Sequence, residues 1–394
     1  MTRPRLERDE VTHAGYAVLT TWAWFLYGFG AILPLLRAEQ GTSRTVLGLH
    51  SLALASGGLV AGALAVPVVR RMQRRGALVL GALLAAVGVV GLVLGPIPAA
   101  TIGSTMIAGI GGSMMLNTVG PALTDHHGGM GAAVLSEGNA VAATVGLVAP
   151  LAVWGSTALG WTWRPAALVE VPLVGVLLLM IRRMPAGIPA MDAVLPPRTG
   201  RREPLIPVFR VFLVLLMACV AIEFCCAAWS ADLLRQRTGL SAGAASIGVT
   251  AVVAGMAAGR FTIGRLALRY PPDRLLFGAL ALAAVGWVIT WLSTTPVPAV
   301  AGLVVIGLGI AGHFPLAVSM TYAVVADQMD QASGAISLGL SAAIGLAPFG
   351  LGALADATST HTAFVVVPVL VAIAATALWI AVRRPDPAPA AGTA

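Results

Sequence analysis

The sequence predicts an all-helical protein that crosses a membrane twelve times. Of its 394 residues, 58% are hydrophobic and only 10% charged, whereas a soluble domain carries roughly a quarter charged residues. That leaves too few ions to cover a water-facing surface. Mean hydropathy is +0.90. The apolar residues also fall into runs of about 20, the length a helix needs to span a bilayer.

In order, the runs are 13–36, 45–69, 77–95, 99–122, 131–156, 163–181, 207–231, 241–264, 275–293, 297–323, 332–354 and 362–382. The first is too long for a signal peptide and no small-x-small site follows it. Glycine is abundant, with 46 residues. In a soluble helix each would cost about 1 kcal/mol relative to alanine. In a membrane bundle small residues let backbones approach.

The net charge is +8, and all 24 basic residues are arginine. A basic chain can signal nucleic-acid binding, but these arginines sit in short clusters between apolar runs, and no nucleic-acid partner is expected. With the N-terminus in the cytoplasm, eighteen of them fall on the cytoplasmic side. Five (Arg37, Arg44, Arg164, Arg235 and Arg237) fall outside, and Arg260 alone lies within a span. The positive-inside rule then predicts a multi-pass protein of the cell membrane with both termini cytoplasmic.

Segment 184–206 is polar, Pro-rich and basic, and reads as a cytoplasmic linker between two six-helix halves, 1–183 and 207–394. The halves repeat. Gly58-Leu59-Val60-Ala61-Gly62 matches Gly255-Met256-Ala257-Ala258-Gly259 at an offset of 197, and the Ala-Ala-Val-Gly ending at Gly88 matches that ending at Gly286. The Gly146–Pro150 stretch resembles Gly345–Pro348, and Asp125 and Asp327 open equivalent loops. Two parallel repeats about a central axis place a solute site between them.

These features together resemble the major facilitator superfamily over essentially the whole chain. The signature after the second span corresponds to Gly62 followed by Arg70, Arg71, Arg74 and Arg75, with no acid between Gly62 and Arg70. The second half carries a similar Gly259-Arg260-Phe261-Thr262-Ile263-Gly264-Arg265. The fold implied is two pseudo-symmetric six-helix bundles, with Arg70 and Arg71 as gating candidates. In the fifth span Gly138, Gly146 and Pro150 partly resemble a motif of proton-coupled antiporters, with Ala149 where a glycine is expected.

The second half is similar to the fucose permease-like sugar:proton symporters. Ile222-Glu223 with Trp229, Gly259-Arg260, and the stretch Gly307 to Pro315 carry that likeness. It implies symport of a small, sugar-like solute with protons. Spans 13–36 and 99–122 contain no Asp or Glu, where such permeases carry acids. Export of a drug or metabolite by the same fold is the alternative.

A charge at mid-membrane costs about 3 kcal/mol on insertion scales, so charges within spans point to function. Glu223 suits a proton or a solute hydroxyl, or a structural pair with Arg260. Arg260 suits a gate or an anionic anchor, or an arginine reaching the interface. Glu137, beside Ser136 and Asn139, can carry a proton at the inner mouth or favour the helix dipole. Glu170 can carry a proton or sit peripherally. Trp24 and Tyr27, with Trp22 nearby, share a helix face that can stack on a ring, or anchor the span. Asn117, His313 and Tyr322 are polar groups in cavity-lining spans that can bind solute or bond between helices.

Three features carry no site at this stage. His126-His127 has no third metal ligand nearby in sequence. Cys219, Cys225 and Cys226 read as buried hydrophobes. Gly307-Leu308-Gly309-Ile310-Ala311-Gly312 matches a dinucleotide fingerprint, which needs a preceding strand and here lies inside a span. With no lysine there is no P-loop. The reading is a monomeric secondary transporter, not an enzyme, with no cofactor or metal. Its partners are a small molecule, protons and the lipid bilayer.

Overall fold

A computed structural model describes residues 8–185, 187–192, 207–267, 269–325 and 329–383. The described residues are helical, with no strand among them. The first half holds α1 (Glu10–Gln40), α2 (Arg44–Leu94), α3 (Pro98–His127), α4 (Gly131–Gly146), α5 (Val148–Ala158), α6 (Arg164–Leu168), α7 (Glu170–Arg183) and α8 (Pro189–Asp192). The second holds α9 (Pro207–Thr238), α10 (Ala242–Ala245), α11 (Ile247–Leu266), α12 (Pro272–Leu292), α13 (Pro296–Ile310), α14 (His313–Val324), α15 (Met329–Ala357), α16 (Thr360–Ala363) and α17 (Val366–Arg383).

Local chemistry sets the helix limits. Asp9 caps α1 by accepting from the Thr12 amide at 3.0 Å, and Gly41 ends it at φ 62°, a left-handed conformation that glycine adopts freely. Pro98, Pro272 and Pro296 start their helices, where the missing N–H is no loss.

Among the described residues, eleven helical stretches are long and apolar enough to cross a membrane. One of them, α2, has 51 residues and would run about 77 Å if straight, more than twice a bilayer core. It bends instead at Gln73, whose φ of 60° and ψ of 174° break the helix. Its two limbs fold back side by side along α3: Gly57 lies on Met106 and Ile110, while Ala85 lies on Gly111. The bend supplies the twelfth crossing.

The internal repeat is visible in the packing. Gly57 approaches the Met106 carbonyl and Ile110 amide, and Gly255 the Val304 carbonyl and Leu308 amide. Gly88 lies on Ala108 and Gly286 on Ile306, while Gly111 meets Ala85 and Gly309 meets Ala283. Every one of these residues has its counterpart 198 positions on. The offset of 197 read from Gly58 is therefore corrected by one. Adjacent Gly57 and Gly58 fit the sequence pattern alike, and only the contacts choose between them. Asp327, the expected counterpart of Asp125, lies outside the described residues.

The first half packs around α1, which meets α3, α4, α5 and α7, and the second around α9, which meets α11, α14, α15 and α17. The halves meet mainly through α2 with α15 and α1 with α9. Large apolar side chains such as Val87, Leu94, Val285 and Val369 stand exposed, as a lipid-facing surface requires. Buried threonines within spans turn their hydroxyls to the carbonyl four residues back, as Thr105, Thr118 and Thr290 do, which satisfies them inside the bundle. Of the expected linker, residues 186 and 193–206 lie outside the described residues, but Pro189–Asp192 forms a helical turn against α2 and α3.

Below, the terminal end is the end where α1 and α9 begin, and the loop end is its opposite.

Candidate functional site

Between the halves, near the middle of α1 and α9, lies a small apolar-walled cavity of about 30 Å³. Tyr27 and Gly30 of α1, Ser51 of α2, Glu223 and Phe224 of α9 and Ile344 of α15 line it. The volume suits about one water. That is less space than a sugar needs.

Three of the residues singled out from sequence meet here. The Arg260 guanidinium lies in electrostatic reach of both the Tyr27 phenol and the Glu223 carboxyl. Arg260 comes from α11, Glu223 from α9 and Tyr27 from the other half. Glu223 lies at the middle of α9, because that helix runs to Thr238 rather than 231. An acid and an arginine facing each other in a low-dielectric gap hold a strong mutual attraction. A proton on Glu223, or a solute hydroxyl between the two, changes that balance directly.

Above the cluster, at the loop end, polar contacts fasten the halves together. Asp232 of α9 is almost fully buried and receives Arg37 of α1 at 3.1 Å and Arg44 of α2 at 3.0 Å. Thr360 donates a third bond to it at 2.5 Å. Asp356 of α15 caps the first turn of α2 from across the boundary, accepting from the amides of Arg44 at 2.8 Å and Thr45 at 2.6 Å and from the Thr45 hydroxyl at 2.7 Å. A carboxylate suits the positive end of a helix dipole. Gly30 lies directly against the Ala227 carbonyl, where a Cβ would collide.

Sequence reasoning missed these residues, because it ended the first span at 36 and the seventh at 231. Both helices continue, and carry Arg37 and Asp232 onto packed faces. The available signal was Asp232 within the apolar stretch Ala231-Asp232-Leu233-Leu234.

At the terminal end, Arg8 grips Glu137 of α4 with two bonds of 2.7 and 3.0 Å, and the carboxylate holds the Arg8 guanidinium above its ordinary range. Asp9 binds His126 at 2.5 Å. Burial works to raise the Asp9 carboxyl, but bonds from the Thr12 amide, His126 and the Thr12 hydroxyl outweigh it and bring the group down to about 2. Buried Arg74, next to the bend, binds Asp125 at 2.6 Å and the Ala190 carbonyl at 2.7 Å. The basic cluster thus finds from α3 the acid that its own segment lacks. Arg75 donates to the carbonyls of Ile181, Met184 and Pro185 and so caps the end of α7. Arg70 and Arg71 are exposed, and the buried anchor of the cluster is Arg74.

The structure does not bring the remaining candidates to the cavity. Trp24 is buried in the first half and donates to the Ala166 carbonyl at 3.0 Å, and Trp22 packs on Gly112. Glu170 is buried on a face of α7 shared with Val174, Leu177 and Ile181, with no hydrogen-bond partner among the described residues. His313 is fully buried in the second half. Asn117 and Tyr322 are exposed. Trp229 is not at an interface with lipid headgroups but buried, bonding the Pro348 carbonyl at 2.9 Å. The three cysteines are free and buried.

Two halves of six crossings, related by an internal repeat and meeting at a charged mid-membrane cluster, define a transporter architecture. The Major Facilitator Superfamily sequence model matches residues 211–394. The whole chain has the major facilitator fold, and the sequence match to that superfamily covers its second half.

A bacterial homolog of the human lysosomal transporter Spinster, in an inward-facing and occupied conformation, matches at TM-score 0.71 and 15% identity, covering 97% of this chain and 98% of that one. The xylose transporter XylE from E. coli, partially occluded and inward open, matches at 0.75 and 12%, covering 94% and 98%. The transporter FucP in its outward conformation matches at 0.64 and 14%, covering 95% and 99%. No curated protein sequence matches.

Proposed function

We propose that the protein is a secondary active transporter that moves a small polar organic solute, sugar-like in size and hydroxyl content, together with protons by alternating access. It sits in the cell membrane as a monomer with both termini cytoplasmic, and its halves are residues 1–183 and 207–394. The observation that carries this reading is the Tyr27, Glu223 and Arg260 cluster, contributed by both halves beneath a sealed loop end. Glu223 carries the proton, and Arg260 and Tyr27 hold Glu223 or the solute in turn.

With the arginine bias, the sealed loop end faces outward, so the state described gives access from the cytoplasm. Higher similarity to the two inward-facing structures, at 0.71 and 0.75, than to the outward-facing FucP, at 0.64, supports this. Its structural neighbours include a D-xylose-proton symporter and the E. coli fucose:proton symporter FucP, which supports a hydroxylated solute. Export rests on the aromatic first span and the partial antiporter motif of the fifth span; of the first of these, Trp22 and Trp24 are packed inside the first half.

The test is uptake of D-xylose, L-fucose and a nucleoside into proteoliposomes under an imposed proton gradient. Wild type is expected to accumulate one of them in response to protons, and Glu223→Gln to lose accumulation while retaining counterflow exchange. Undiminished proton-driven accumulation in Glu223→Gln overturns the assignment of the proton to this residue.

A further inference from the structure

Away from the cavity, the fold gathers a second constellation at the terminal end. Asp9 precedes α1, and His126 and His127 close α3, more than a hundred residues later. One ligand atom from each lies within 4.8 Å of the other two. The absence of a third ligand near the histidine pair in sequence is thus made good by the tertiary fold. The donors are also sorted for the task. Asp9 Oδ1 is taken by the Thr12 amide at 3.0 Å and hydroxyl at 2.8 Å, which fixes the carboxylate and leaves Oδ2 turned to His126 Nε2 at 2.5 Å. His127 Nε2 faces the Thr12 hydroxyl at 2.8 Å. The two rings stand edge to face, with centroids 4.9 Å apart.

We propose that Asp9, His126 and His127 form a binding site for a divalent first-row transition ion, Zn²⁺ being the best matched, which fastens the first turn of α1 to the last turn of α3. Two imidazoles and one carboxylate are ligands for such an ion, whereas Mg²⁺ and Ca²⁺ favour all-oxygen shells. Bonds of about 2.0–2.1 Å put ligand atoms about 3.4 Å apart in a tetrahedron. To reach this the Asp9–His126 pair, at 2.5 Å, opens by about 0.9 Å and separations of up to 4.8 Å close by about 1.4 Å, through rotation of the partly exposed histidine rings. The fourth position is left for the Thr12 hydroxyl or a water. The carbonyl end of a 30-residue helix, α3, favours a cation there, and the Asp9 cap already answers the opposite dipole of α1. Through Arg8, which pins Glu137, the same ion would stiffen the start of α4 as well.

The test uses the full-length protein without an affinity tag, stripped of metal with chelator. Zn²⁺ titration followed by calorimetry is expected to show one site with a Kd of about 10 µM or tighter, and a rise in Tm that saturates with it. His127→Gln, which leaves the Asp9 cap intact, should weaken binding at least about 10-fold, and Asp9→Asn with His126→Gln should abolish it. Tm without metal shows whether each variant is folded. Three results overturn the proposal: no stoichiometric binding, unchanged binding in folded His127→Gln, or an equal stabilisation by Mg²⁺ at the same concentration.

Discussion

The Asp232 carboxylate and the Arg44 guanidinium meet at 3.0 Å across the boundary between the two six-helix halves. Arg37 binds the other carboxylate oxygen at 3.1 Å. One buried acid therefore holds two arginines, and its loss leaves two like charges facing each other. Removing one partner of a buried ion pair costs on the order of 3 kcal/mol.

Asp232→Asn is accordingly expected to open the loop end, since about 3 kcal/mol shifts a two-state balance by more than 100-fold. Spin labels at Ala38→Cys and Thr358→Cys, both exposed at this end and on opposite halves, report the distance. The variant should move the population towards longer separations. An unchanged distribution would remove Asp232 from the gate.

Gly30→Val places a branched side chain where the Ala227 carbonyl lies. The same label pair should show the loop end held apart, and transport should fall at least 10-fold while expression and melting stay near wild type. A variant with normal transport would show that the close approach of α1 and α9 is dispensable.

Arg260→Gln keeps a polar side chain near Tyr27 but removes the charge facing Glu223. Solute accumulation should drop by at least 10-fold, and Arg260→Lys should restore part of it. Full activity in Arg260→Gln would mean that the cluster needs no cation.

Gln73 adopts φ 60° and ψ 174°, a region that essentially only glycine occupies without strain, which costs about 1–3 kcal/mol for other residues. Glycine adds about 0.5–1 kcal/mol of chain entropy cost. Gln73→Gly should therefore raise stability by about 1 kcal/mol, read as a higher Tm in detergent. A lower Tm would show that the Gln73 side chain contributes more than the strain removes.

Asp9 is held at about 2 in the folded protein, against an ordinary 3.8. A depressed carboxyl stabilises the fold fully above its ordinary value and loses that contribution as pH falls through the folded value. Asp9→Asn is expected to cost about 1 kcal/mol, the worth of a helix cap, with a constant deficit above pH about 5. The deficit should shrink between pH about 4 and 2, when wild type becomes protonated too. Melting curves of both proteins across that range check the sign, and a deficit independent of pH would refute it.

The twelve crossings were legible because lipid imposes a single length and polarity on every span, and the predicted runs match the observed helical stretches to within a few residues, though several cross a break between two helices. The bend at Gln73 was legible only as Arg-rich punctuation, since no glycine or proline marks it. Glu223 and Arg260 stood out because charge within an apolar run is conspicuous. Asp232, Arg37 and Asp356 did not, because hydropathy fades at span ends while the helices continue. Trp24 shares a helix face with Tyr27 by spacing, yet its indole turns to Ala166. Helical periodicity fixes which residues lie near each other on one helix, not which neighbour covers them. Asp9 and the histidine pair were separated by an entire four-crossing circuit.

The glycine contacts that recur every 198 residues have an evolutionary reading. Two copies of one six-helix unit, duplicated and fused, have kept their internal joints while the surfaces between them diverged. One copy now bears Glu223 and Arg260, and the other answers with Tyr27. On this view a break in the chain anywhere in 193–206 should be tolerated, with the two fragments reassembling when co-expressed, because each copy already contains its own glycine joints.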